Sequence, residues 1–100
     1  SGKAAQKIGL KLKEVSGNRQ VICVTHLAQV AVFADHHLLI HKQEQNGRTY
    51  THIDFLDEGQ RVKEIARMIS GDNLTDTAIK NAEEMLALAS GEEQEQKKAD

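Results

Sequence analysis

Residues 20–26 read Gln-Val-Ile-Cys-Val-Thr-His. Four apolar side chains in a row, Val21 to Val24, leave this stretch no polar face. A short β-branched run of that kind is expected as a strand buried on both sides, the pattern of a parallel sheet. Before it, residues 3–15 predict a helix. Ala5, Ile8, Leu12 and Val15 recur at the spacing of one helical face, with lysines between them. Ser1 or Gly2 suits the N-cap, and Ser16-Gly17-Asn18 is a stop, with Gly17 suited to a left-handed cap. A helix feeding a buried strand is the second part of a βαβ unit, whose first strand the sequence does not contain. The chain is therefore expected to be a piece of a larger α/β domain.

Downstream, Leu27 to Ala34 (LAQVAVFA) is apolar and long enough for about two helical turns. It ends at Asp35-His36-His37. Leu38 to about Gln43 predicts a strand, Asn46-Gly47 is a strong hairpin signal, and Thr49 to Leu56 alternates as a returning strand. After a break at Asp57-Glu58-Gly59, Val62, Ile65, Ala66 and Ile69 mark an amphipathic helix that Ser70-Gly71-Asp72-Asn73 stops. Thr75 is the expected N-cap of a last helix, with Ile79, Ala82, Leu86 and Ala89 on its buried face. Residues 91–100 carry one apolar side chain, Ala99, and are expected to be a charged, disordered tail.

The 100 residues allow one domain with a modest core. Thirteen Lys and Arg against fifteen Asp and Glu leave a net charge of −2, so no general field draws nucleic acid to the chain. Aromatic residues are 3%, too few for a base-stacking surface. No apolar run reaches the roughly 18–20 residues that span a bilayer, and the opening SGKAAQKIGL lacks a secretory signal. A lone cysteine, Cys23, fits a reducing cytosol and is expected to be buried and inert.

His26, with Thr25 before it, is the first candidate site. In open α/β sheets ligands bind beyond the carboxyl ends of strands, and an imidazole there can donate to an anion. The plainer reading is a histidine that caps the next helix or is satisfied by backbone. His36, His37, His41 and His52 lie on or near the hairpin, with Asp35 and Cys23 in the chain nearby. His37 and His41 share a strand face, but positions four apart are roughly 13 Å apart, too far to share one ion. Their spacing is no zinc motif, and no metal site is assigned; solvated edge histidines are expected. Lys3, Lys7 and Lys11 share a helix face, which is read as solvated. Asp57-Glu58 comes after apolar residues as a catalytic carboxylate pair would, yet Asp54 interrupts the run and a helix start is the better account.

The stretch CVTHLAQVAVFADHHLLIHK resembles the region around the switch histidine of the RecN family of bacterial DNA repair proteins, in the SMC-like branch of the ABC ATPases. SGKAAQKIG is similar to the segment after the family's Walker B acidic pair and D-loop, and RVKEIARMISGDNLTDTAIKNAEEML to its C-terminal end. The resemblance covers residues 1 to about 89 in order. It implies an α/β fold: part of a P-loop NTPase head lobe of ABC/SMC-like type, with a parallel strand and a β-hairpin packed with helices, and two C-terminal helices. Residues 1–90 would be the C-terminal portion of that head.

The resemblance implies that His26 reaches the γ-phosphate of ATP and helps place the attacking water, with Thr25 beside it. It implies that Ser1 and Gly2 end the D-loop at the head–head interface. ATP and Mg²⁺ are then cofactors of the full-length protein. The chain has no GxxxxGK[ST], no LSGGQ-like signature and no Walker B pair in its place, so it is expected to bind no nucleotide and be inactive alone. The implied partners are the remaining P-loop lobe, a second head in a homodimer, and DNA through the full-length protein, in recombinational double-strand break repair. The implied location is the bacterial cytoplasm, at the nucleoid, with no membrane contact. Two other readings stay open. One is a stand-alone α/β protein-interaction module without catalytic activity. The other is metal binding by the hairpin histidines, which a stability gain with zinc would reveal.

Overall fold

The computed structural model describes the backbone of residues 2–99 and the side chains of residues 2–91. Among the described residues the order is α1 (Gly2–Val15), α2 (Ala28–Ala31), β1 (Leu38–Gln45), β2 (Arg48–Phe55), α3 (Glu58–Ser70) and α4 (Asp76–Ala99). The fold is thus mixed α/β with one antiparallel hairpin.

Local chemistry accounts for most of these boundaries. Asn46 and Gly47 both have positive φ, 53° and 76°, which a two-residue type I′ hairpin turn requires. The turn sets the register, so that Gln45 faces Arg48, Ile40 faces Ile53 and Leu38 faces Phe55. Asp57 and Gln60 form a reciprocal cap on α3. The Asp57 carboxylate accepts from the Gln60 N–H at 2.8 Å, and the Gln60 side-chain oxygen accepts from the Asp57 N–H at 3.0 Å. The Asp57-Glu58 pair is therefore a helix start. Gly71, at φ 78°, closes α3. Thr75 Oγ1 accepts from the Ala78 N–H at 3.1 Å and caps α4.

The core lies where α3, α4 and α2 meet. Ile65, Ala66 and Ala82 are fully buried, and Ala28, Ala31, Val32, Phe33, Ala78 and Ala89 pack around them. Most of these side chains are small, which lets the helix backbones approach closely. On α1 the buried positions are Ala5 and Gly9, whereas Ile8 and Val15 are exposed. The covered face is thus turned from the expected one toward Phe33. A Cβ placed on Gly9 would lie 2.3 Å from Phe33 Cδ2, so the glycine is what admits the ring.

One expectation is corrected. Residues 20–25 form no parallel strand: the segment is unpaired, and Ile22 and Val24 are 83% and 86% exposed. A strand exists only by hydrogen bonding to a neighbour, and among the described residues β1 and β2 bond to each other alone. Cys23, expected in the interior, is exposed for the same reason. α4 continues as backbone helix through Gly91 to Ala99. Of the charged stretch expected as a tail, 91–100, the side chains beyond Gly91 lie outside the described residues.

Candidate functional site

Thr25 and His26 stand at the junction between the unpaired segment and α2. The Thr25 hydroxyl oxygen accepts from the Leu27 N–H at 3.0 Å, and the turn it makes delivers the chain into α2. Its O–H remains able to donate. His26 is exposed, and among the described residues no hydrogen bond or ion pair holds its imidazole. Gly2, the first residue of α1, lies beside α2: a Cβ there would be 3.8 Å from Gln29 Nε2. Gly2 thus lies beside the Gln29 side chain of α2, while His26 stands two residues before that helix. Ser1 lies outside the described residues.

The chain just beyond His26 is held from two sides. Arg61, half-buried on α3, donates from Nη2 to the carbonyls of Ala31 at 3.3 Å, Val32 at 3.2 Å and Ala34 at 2.6 Å. The Ala31 carbonyl also accepts from the Ala34 N–H at 3.1 Å, so Arg61 adds a donor to the turn by which the chain leaves α2. Burial works against the Arg61 charge, while Glu58 and Asp35 favour it. Asp35 pairs with Lys13 of α1. The hydrogen bond from Lys13 holds the Asp35 carboxyl below its ordinary range. Neither Gly9 nor Arg61 was a candidate in the sequence. Arg61 sits in the first turn of an amphipathic helix, where a solvated arginine is ordinary, and only its reach to α2 distinguishes it.

The hairpin histidines are arranged differently. His41 and His52 face each other across the strands, with rings stacked at a centroid distance of 5.4 Å. His41 Nε2 lies 2.8 Å from Asp54 Oδ2. Among the described residues no three His, Cys, Asp or Glu side chains converge to hold a metal ion. His37 is half-buried, and burial together with the Arg61 charge pushes its pKa down. Lys3, Lys7 and Lys11 are exposed, and Lys11 pairs with Glu14 at 3.5 Å. A groove between the hairpin and α3 is lined by residues that include Leu39, Phe55, Lys63, Arg67 and Leu74. Thr25, His26 and Gly2 do not line it. Among the described residues no helix is long and apolar enough to cross a membrane.

No family model matches the chain. Curated relatives do. The chain is 45% identical over 89 residues to the DNA repair protein RecN of Halalkalibacterium halodurans, covering 89% of this chain and 16% of that protein. It is 46% identical over 89 residues to the DNA repair protein RecN of Bacillus subtilis, with the same coverage of each. It is 44% identical over 86 residues to that of Deinococcus radiodurans, covering 86% of this chain and 15% of that protein. The chain spans about one sixth of the length of these relatives. Identity at this level, over nearly nine-tenths of the chain, reflects common descent. Over the matched residues the chain is a homologue of the RecN proteins and corresponds to their C-terminal region.

Proposed function

We propose that the chain is the C-terminal portion of the ATPase head of a RecN-like protein that acts in recombinational repair of DNA double-strand breaks. The observation that carries this reading is His26: an exposed imidazole without a partner among the described residues, at the end of an unpaired apolar segment and the entry to a helix. Once a neighbouring strand pairs with residues 20–25, that imidazole stands beyond the carboxyl end of a sheet strand, where open α/β folds bind ligands.

The residues present fit ATP as a single contact. His26 can donate to a phosphate, and Thr25 keeps a hydroxyl proton to donate. A cradle of backbone N–H groups is not formed around them, since the Leu27 N–H is already taken by Thr25. ATP with Mg²⁺ would thus be held by the remaining P-loop lobe and would supply the phosphoryl group transferred to water. His26 would orient the γ-phosphate side of that reaction, and such positioning is most of what phosphoryl transfer needs from protein. Gly2, with Ser1, would lie at the interface with a second head. The chain alone would neither bind nor hydrolyse ATP. DNA would be engaged by the whole protein, at the nucleoid in the bacterial cytoplasm.

The test is ATPase activity after mixing this chain with the P-loop-bearing remainder of a RecN-like protein. Restored hydrolysis that falls at least tenfold in His26→Ala supports the reading. Restored hydrolysis that His26→Ala leaves unchanged removes His26 from it. A second reading, a stand-alone interaction module, draws on the exposed Ile22 and Val24, with Ile40, Ile53 and Phe55 on the hairpin. A silent mixture together with a stable monomer would favour it.

A further inference from the structure

We infer that Arg61 is a positioning residue for His26, acting through α2. The inference rests on the reading of His26 just given and adds the group that aims it. α2 is only four residues long, and a helix that short does not sustain itself, because the cost of nucleation exceeds what its few hydrogen bonds return. Its direction must be fixed from outside. At the leading end the support is local: Thr25 Oγ1 with the Leu27 N–H. At the trailing end it is remote in sequence. One guanidinium nitrogen of Arg61 gathers the carbonyls of Ala31, Val32 and Ala34.

Arg61 is itself well anchored. It stands one residue after the Asp57–Gln60 cap, so the first turn of α3 carries it at a fixed angle. The Lys13–Asp35 pair ties the residue after Ala34 to α1. His26 therefore stands two residues before a short rod, joined to it through the extended N-cap Leu27, and α3 grips that rod at its far end. A charged donor is worth more here than a neutral one, because a hydrogen bond from an ionised donor is the stronger kind. A lysine carries the charge but lacks the planar, pre-organised donor array of a guanidinium.

The test is NMR on the 100-residue chain, as wild type, Arg61→Ala and Arg61→Lys. The signals are the His26 ring, the amide exchange of Val30 to Ala34, and the methyls of Ile65 and Ala82 in the core. In Arg61→Ala, exchange over Val30 to Ala34 is expected to accelerate about tenfold, the size of one lost charge-assisted hydrogen bond. The His26 ring signals shift and sharpen while the Ile65 and Ala82 methyls stay in place, and Arg61→Lys falls between. His26 ring signals that do not move while α2 exchange accelerates overturn the inference, because Arg61 then supports α2 without aiming the histidine. If Arg61→Ala unfolds the chain, Arg61→Lys decides on the same signals: a moved His26 ring supports the inference and an unmoved one overturns it. None of these signals depends on ATP. An unaltered ATPase in His26→Ala would remove His26 from the head reading and leave this result standing.

Discussion

Gly9 shows how a single missing side chain sets the α1–α2 contact. Phe33 occupies the space that a Cβ would claim, at 2.3 Å from Cδ2. Gly9→Ala gains up to about 1 kcal/mol of helix propensity. It also forces the Phe33 ring or α1 to move, a strain of about 1–3 kcal/mol. The expected net result is destabilisation by up to about 2 kcal/mol, read from the denaturant midpoint, with Gly9→Ala/Phe33→Leu recovering part of it. His37 gives the pH dependence at this scale. Its folded pKa is pushed below the ordinary 6.5 by burial and by the Arg61 charge, against a smaller opposing effect of Glu64. The unfolded chain therefore binds the proton more readily. Stability is full above pH 6.5 and declines as pH falls below it, toward the folded value. Thermal melts at about pH 7.5 and about pH 5.5 should show this loss in the wild type and a smaller one in His37→Gln. Contacts of this kind were not legible in the sequence: what makes Gly9 and Arg61 special is which distant atoms they meet.

Elements were more legible, for a physical reason. Caps and turns are local chemistry, and the residues that make them adjoin in sequence. Asn46-Gly47 required a tight turn, Thr75 sat where a cap was expected, and the helix at 58–70 was marked by Val62, Ile65 and Ala66. Asp57→Ala removes the carboxylate arm of the α3 cap and leaves the Gln60 arm, whose donor is the backbone N–H of residue 57. It is expected to lower stability by about 1 kcal/mol, with Asp57→Asn costing less. Far-UV circular dichroism during urea unfolding measures it. The run at 20–25 failed as a strand prediction because pairing is never local. Its composition states what environment it suits and cannot supply the neighbour. The exposed Ile8 belongs with it: periodicity placed it on a buried face, and nothing among the described residues covers it.

At the scale of the whole molecule the core is thin. Ile65 is the one large side chain below 2% exposure among the described residues, and the radius of gyration of 15.0 Å exceeds the ~13 Å typical of this length. Meanwhile Ile22, Val24, Ile40, Ile53 and Phe55 are all more than half exposed. An unpaired apolar segment and an apolar sheet face template association. The isolated chain is expected to self-associate at micromolar concentration, and Ile22→Lys/Val24→Lys to shift it toward monomer in sedimentation velocity. A wild-type monomer at every concentration would mean that these surfaces need no cover. Candidate function was legible at this scale only through resemblance, since a single histidine after an apolar run has no meaning without the sheet it implies. The packing order carries one more consequence. Each substantial contact joins consecutive elements: α1 with α2, α2 with α3, α3 with α4 and β1 with β2, apart from the hairpin that α2 and α3 bracket. Such a chain closes mostly short loops as it orders, the meeting of α2 with α3 across the hairpin being the longest, so its search is brief, with the hairpin forming within about 1–10 μs and the helical turns sooner. Residues 20–25 take no part in that order, since among the described residues nothing pairs with them.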